Sequence, residues 1–346
     1  MLKNYNNCVF CGSKQLVKQK NQKFLDNFYL RAVRNDLKIS INFFKKLKVY
    51  QCKKCYIIQN NPWFSENFAR KIYSSIYGQH NRNWTNLINF YKKGTFPNHG
   101  NLFEIVSKIL KVKNYVEFNS PFMGLLLNYL SCEYSSKNNF FRELVKNLIK
   151  YLSLRQVAGY SHKKIDTQNN QIKKIIKLIK KLKIKNFLKK QTNKYLLVDN
   201  SPMSWGQNDN YKSVNSKSLA SELFDLNIID INRPYKKQKF DLFGIFHTLD
   251  HTFEPKKILD FAIKHSEYVI VYCHVDRRLE KQHLFSFTNQ FLKYLKNNNI
   301  YFLDLTDSIN KNYKVPELYF VCSKKKKLIK NFELKLFNFL TNERKF

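Results

Sequence analysis

Between Phe240 and Asp276 apolar runs alternate with polar breaks in a pattern that predicts strand, loop, helix and strand. Leu242–Phe246 and Tyr268–Tyr272 are short continuous apolar runs. The first stops abruptly in His247, Thr248, Asp250 and His251. Pro255 suits the first turn of a helix, where its missing N–H costs nothing. Ile258, Leu259, Ala262 and Ile263 follow at helical spacing. Buried runs joined by a crossover helix predict a parallel α/β sheet. Ligands of open α/β sheets bind at the carboxyl ends of the strands, and the cluster from His247 to His251 lies at such an end.

The same reading extends in both directions. Phe103, Val106, Ile109 and Leu110 give a helical face, and Tyr115–Phe118 reads as a first strand. A turn over residues 119–124 follows, then an apolar helix over 125–130. Tyr195–Val198 is the second strand and ends at Asp199; residues 218–224 are helical and Leu226–Ile231 form the third strand. The opening stretch supplies the fourth and fifth. A helix through Leu295 precedes a closing β pair, Ile300–Asp304 and Leu318–Cys322. Residues 131–193 read as a helical insertion whose Ile172, Ile175, Ile176, Ile179 and Leu182 line one face. A membrane-surface helix is the alternative for that stripe.

The first 62 residues form a unit of another kind. Cys8-Val-Phe-Cys11-Gly12 and Cys52-Lys-Lys-Cys55 are two C-x₂-C knuckles. Two intervening residues let both thiolates of a pair point at one ion, and Gly12 permits the positive φ that follows such a turn. Four thiolates suit tetrahedral zinc, and with every position filled by protein the ion is structural. We expect a small zinc-ribbon-like domain over 1–62. An aromatic helical linker over 63–100 follows, with Ser65 as N-cap and Phe68, Ile72 and Ile76 on one face. The main domain is expected over 101–323 and a basic tail over 324–346, solvated and able to form a helix. Cys132, Cys273 and Cys322 read as buried free thiols. His274 beside Cys273 makes no metal site, because one Cys and one His are too few and alternate strand residues face opposite ways.

Composition changes the picture in two ways. The net charge of +37 points to an anionic partner, nucleic acid or a membrane surface. Only ten of the 62 basic residues are arginine, however, and phosphate and base recognition favour the arginine fork. Lysine, asparagine, isoleucine, phenylalanine and tyrosine are abundant together, as A/T-rich codons would make them. No run of about 18 apolar residues marks a membrane span. The N-terminus has no apolar signal core. A cytoplasmic protein is expected.

The order of these parts resembles the class I S-adenosylmethionine-dependent methyltransferases, and among them members with an N-terminal zinc-binding domain that act as sugar C-methyltransferases. The resemblance is carried by several stretches in order: the paired knuckles; the Tyr73–Tyr77 segment; Val116-Glu117-Phe118; His247-Thr-Leu-Asp250-His251 with Glu254-Pro255, where the family shows H-x-x-E-H and D-P; and Glu280-Lys-Gln-His283 with Phe287, where it shows E-H-x-x-x-F. It implies a Rossmann-like seven-stranded sheet with helices on both faces and an antiparallel last strand. It also implies S-adenosylmethionine over the carboxyl ends of the first strands. Glu117, Asn119, Ser120 and Gly124 would lie on the methionine side, Asp199 at the ribose, Asp230 near adenine, and His247 and Thr248 beside the sulfonium. His251 and His283 are the candidate bases, since histidine titrates near neutral pH. The family's first loop reads like E-x-G-x-x-x-G, whereas here Asn119 and Met123 stand where glycines are expected. Three readings follow: a methyltransferase acting on a nucleotide sugar or surface-polysaccharide precursor, an RNA methyltransferase, or a non-catalytic relative that binds a ligand or partner.

Overall fold

Val116, Phe118, Phe243, Ile245, Val269 and Val271 are fully buried, and they come from three neighbouring strands of one sheet. The computed structural model describes residues 2–19, 31, 34–35, 37–69, 102, 106, 109–118, 170, 173, 193–198, 226–232, 239–246, 248–275, 285–309 and 317–343. The N-terminal part contributes β1 (Leu2–Lys3), β2 (Leu16–Lys18), α1 (Ile41–Lys45), β3 (Lys48–Cys52), β4 (Ile58–Asn61) and β5 (Trp63–Phe64). There follow β6 (Asn114–Phe118), β7 (Asn193–Val198), β8 (Leu226–Asp230), β9 (Phe240–Phe246), a 3₁₀ turn (Leu249–His251), α2 (Pro255–His265) and β10 (Ser266–His274). The chain closes with β11 (Phe285–Ser286), α3 (Phe291–Asn297), β12 (Tyr301–Asp304), α4 (Thr306–Ile309), β13 (Glu317–Ser323) and α5 (Lys326–Glu343). The helices expected over 125–130 and 218–224, and nearly all of the insertion expected over 131–193, lie outside the described residues.

The large sheet has the order β12-β13-β10-β9-β6-β7-β8. Strands β6 to β10 pair parallel, and β13 runs antiparallel to both β10 and β12. β9 and β10 are apolar along nearly their whole length because both of their faces are buried. The crossover between them is α2. It starts on Pro255, buries Ile258, Leu259, Ala262 and Ile263, and ends with Lys264 and His265 in its last turn, where positive charge suits the helix dipole. Asp241 ties β9 to the start of β6, its Oδ2 accepting from the backbone N–H groups of Lys113 (2.6 Å) and Asn114 (2.9 Å).

The chain path through this sheet reverses at one place. It runs outward through β6, β7 and β8, then returns to the other side of β6 as β9. Gly244 of β9 lies opposite Glu117 of β6 at that reversal. A Cβ at Gly244 would stand 2.4 Å from the Phe246 ring and 2.5 Å from the Tyr115 hydroxyl. A side chain there is sterically excluded, so the hydroxyl passes close to the backbone.

A second sheet has the order β11-β4-β3-β2, all antiparallel. Its outer strand β11 comes from far along the chain, with Phe285 opposite Gln59 and Ser286 opposite Ile58. β1 and β5 form a separate two-stranded pair. Phe10, beside the first knuckle, packs edge-on against Phe285, Phe287, Phe291 and Tyr294 at 5.1–6.3 Å between ring centroids. One core therefore runs from the cysteine knuckles into the large sheet. The basic segment after Lys324, expected to be solvated, forms α5, which turns Ile329, Phe332 and Leu336 inward while Leu334 and Phe337 face out. Its lysines cover the polar side of an amphipathic helix, a face that a count of charge alone does not separate from a loose tail. Among the described residues no helix is long and apolar enough to cross a membrane.

Candidate functional site

The two knuckles are conformational twins. The Gly12 N–H donates to the Cys8 carbonyl (2.9 Å), and the Tyr56 N–H donates to the Cys52 carbonyl (2.9 Å). Each opening cysteine donates its own N–H five residues on, Cys8 to Ser13 (2.8 Å) and Cys52 to Ile57 (2.9 Å). Gly12 has φ 72° and Tyr56 has φ 63°, so both turns close in the left-handed region. At the second knuckle a bulky residue bears that conformation, which is unfavourable for anything but glycine or asparagine. The Tyr56 carbonyl is fixed there by the Thr288 hydroxyl, which donates to it at 2.9 Å.

These turns bring the four sulfurs together. Cys8 Sγ and Cys55 Sγ are 3.4 Å apart, Cys11 Sγ and Cys52 Sγ are 3.6 Å apart, and all four lie within 4.8 Å of one another. A tetrahedral ion with bonds of about 2.3 Å places its sulfurs about 3.8 Å apart, so the donor set fits such an ion. Cys8, Cys52 and Cys55 are buried and Cys11 is half-buried. The thiols share their protons unequally. Hydrogen bonds from Cys55 and then Cys8 push Cys11 well down, while the bond to Cys11 raises both Cys8 and Cys55. Buried Gln59 secures the first knuckle, accepting from the Val9 N–H at 2.9 Å and donating to the Asn7 carbonyl at 3.4 Å. Asn61 pairs with both backbone groups of Tyr5, at 2.9 and 2.8 Å.

The second candidate region lies at the carboxyl ends of the large sheet. Glu117 and Tyr115 share a face of β6, as residues two apart in a strand do. Both are buried, and the Tyr115 hydroxyl donates to Glu117 Oε2 at 2.7 Å. Burial, and then the carboxylate beside it, push the Tyr115 phenol well above its ordinary value, so it remains a donor. Thr248 is buried and donates from Oγ1 to the Phe118 carbonyl at 3.4 Å, joining the loop after β9 to the end of β6. Asp230 ends β8, two strands away, where its Oδ1 accepts from the Asn232 N–H at 2.9 Å. Strand spacing places it about 10 Å from β6. Of the expected donor-site residues the structure thus brings Glu117, Thr248 and Asp230 to one edge of the sheet. Asn119, Ser120, Gly124, Asp199 and His247 lie outside the described residues, as does the candidate base His283.

His251 and Asp250 follow on the 3₁₀ turn. Asp250 is fully buried between two imidazoles: His274 Nδ1 is 3.0 Å from its Oδ2, and His251 Nε2 is 3.7 Å from its Oδ1. Burial pushes the His251 imidazole down to about 4, the Asp250 charge opposing and His274 adding to the effect. His274, which makes no metal site with Cys273, is held by Asp250 instead. What couples it to Asp250 is the sheet itself, since β9 and β10 are parallel neighbours and their carboxyl ends adjoin. A polar residue ending each of two successive apolar runs is the signal in the sequence for such a pairing.

The His251 shift has a testable sign. An unfolded histidine titrates near 6.5, so acid protonates the unfolded chain before the folded one. The stabilisation is complete above about pH 6.5 and is lost as the pH falls through 4, on the order of 3 kcal/mol in all. Urea unfolding at pH 7 and pH 4.5 should show the parent losing that much more stability than a His251→Gln variant; equal losses would show that burial does not hold His251 neutral.

No family model matches the sequence, and no curated protein does. Solved structures do. An S-adenosylmethionine-dependent methyltransferase of Thermotoga maritima, described as a possible histamine N-methyltransferase, aligns over 72% of this chain and 99% of its own, with 10% identity and a TM-score of 0.34. The plantazolicin methyltransferase BpumL, in complex with S-adenosylhomocysteine, aligns over 74% and 98%, with 9% identity and a TM-score of 0.34. The N-terminal domain of EvdMO1, with S-adenosylhomocysteine bound, aligns over 63% and 76%, with 9% identity and a TM-score of 0.28.

Proposed function

We propose that this chain is a class I S-adenosylmethionine-dependent methyltransferase that acts on a nucleotide sugar or surface-polysaccharide precursor and carries one structural zinc ion on Cys8, Cys11, Cys52 and Cys55. The observation that carries the reading is the reversal of the sheet between β6 and β9. Open α/β sheets bind their ligands at the carboxyl ends where the strand order reverses. Here that place has Glu117 on one strand and the side-chain-free Gly244 on the other. The buried Thr248 and the acidic Asp230 occupy the same edge. Carboxylates and hydroxyls there suit a ligand rich in hydroxyl and amino donors, since an ionised carboxylate only accepts.

In this reading Glu117, Thr248 and Asp230 hold the methyl donor together with Asn119, Ser120, Gly124, Asp199 and His247. S-adenosylmethionine supplies an electrophilic methyl group on a sulfonium sulfur. The protein aligns the acceptor, excludes water and removes a proton. The acceptor class follows the resemblance of the knuckles and of the His247–His251 stretch to the sugar C-methyltransferases. The test is to incubate full-length, zinc-loaded protein with methyl-tritiated S-adenosylmethionine and, in parallel, a small-molecule extract or total RNA. Label should pass to the small-molecule fraction. Label in RNA, at a rate falling steeply with salt, would assign the acceptor to nucleic acid instead.

A further inference from the structure

Asp250 is a fully buried carboxylate whose stronger contact is to a histidine that still reaches the surface. The His274 side chain is 31% exposed, whereas Asp250 is 0% and His251 8% exposed. Burying a carboxylate is costly unless a partner offsets its charge. Of the two imidazoles beside it, His251 stays neutral because burial opposes its protonation. His274 is the more exposed of the two and the one whose ring nitrogen lies within hydrogen-bond distance of the carboxylate. Its backbone is pinned, with the carbonyl accepting from the Ser286 hydroxyl at 3.2 Å and from the Phe287 N–H at 3.3 Å. Its ring is oriented by Asp250 at Nδ1. A neutral imidazole has one donor nitrogen and one acceptor nitrogen, so a carboxylate at Nδ1 leaves the acceptor role to Nε2. Glu317, a second carboxyl group, lies opposite His274 on β13; burial raises it, whereas hydrogen bonds from Tyr272 and Tyr319 and the charge of His274 oppose that shift, and the Tyr319 hydroxyl donates to it at 2.9 Å. Tyr272 is held protonated, chiefly by burial.

We propose that His274, oriented by Asp250, is the base that takes the acceptor's proton during methyl transfer. This rests on the methyltransferase reading above and replaces the buried His251 in the role. The acceptor's electron pair forms the new bond to the methyl carbon as the carbon–sulfur bond breaks. The electron pair of the broken carbon–sulfur bond stays on the sulfur, which leaves as a neutral thioether, and the acceptor's proton ends on His274 Nε2. The resulting imidazolium faces the Asp250 carboxylate, so the positive charge lost from sulfur reappears beside a buried negative one. His274 touches the reacting atoms in this scheme; Asp250 is a positioning residue.

Two measurements test it. The first is a long-range ¹H–¹⁵N correlation spectrum of full-length protein with labelled histidine, assigned with a His274→Gln variant. The Nδ1–H tautomer is expected for His274, and its loss in an Asp250→Asn variant. An Nε2–H tautomer in the parent would overturn the assignment. The second compares tritiated methyl transfer into the small-molecule extract with calorimetric binding of S-adenosylmethionine. His274→Gln should bind the donor as the parent does and transfer at least about 100-fold more slowly, the usual loss on removing a general base. Transfer within a few-fold of the parent would overturn the proposal while leaving the methyltransferase reading intact. Absence of donor binding by the parent would overturn both. His274→Gln changes a partly exposed residue, so a folded variant is expected even if the buried Asp250→Asn substitution destabilises the chain.

Discussion

A Cys52→Ser chain is expected to lose its metal and its fold together. Cys52 is fully buried at the end of β3, and its sulfur also accepts from the Lys54 N–H at 3.4 Å. A structural zinc ion on four thiolates contributes on the order of 10 kcal/mol or more, and the net stability of a domain is about 5–15 kcal/mol. In a protein with separate domains this would melt only the first. Here β11 completes the knuckle sheet and Phe10 reaches the rings of α3, so the loss spreads into the large sheet. Metal analysis and circular dichroism of parent and variant check the result. The parent should hold about one zinc per chain and melt in one transition, and the variant should hold none and lack cooperative unfolding near room temperature. A variant with a full equivalent of metal and an unchanged midpoint would contradict it.

Phe10→Ala should separate packing from metal binding. Its ring contacts four others across the junction between the knuckles and the C-terminal half. Removing a buried phenylalanine costs about 3–5 kcal/mol, because the cavity collapses only partly. The ligands are untouched, so the variant should keep its zinc while its urea midpoint falls. If the two halves do share one core, fluorescence and metal release should shift together. A loss below about 1 kcal/mol would mean that the junction is not part of the folded core.

Much of the large sheet was legible because its strands are buried on both faces. Leu242–Phe246 and Tyr268–Tyr272 read as uninterrupted apolar runs for that reason; the observed β9 starts two residues earlier and ends where expected, and β10 is two residues longer at each end. Pro255 and the helical spacing after it marked α2. The knuckles were legible because metal ligation demands both a residue type and a spacing. What was not legible depends on distant pairing. β11 is two residues long and joins a strand more than two hundred residues earlier, and neither partner has a local pattern that announces the other. Tyr56 in the left-handed region was equally invisible, since glycine marks such a turn and here a hydrogen bond from Thr288 holds it instead. The Asp250–His274 contact belongs with these. Cys273 is buried, as read, and alternation turns His274 to the other face, yet only the parallel register of β9 and β10 brings the two strand ends together.

The central claim is that the carboxyl-end crevice between β6 and β9 binds a sulfonium methyl donor. Calorimetric titration of S-adenosylmethionine into full-length, zinc-loaded protein tests it most directly. The account predicts saturable binding at one site per chain; no heat and no thermal stabilisation at millimolar donor would contradict it.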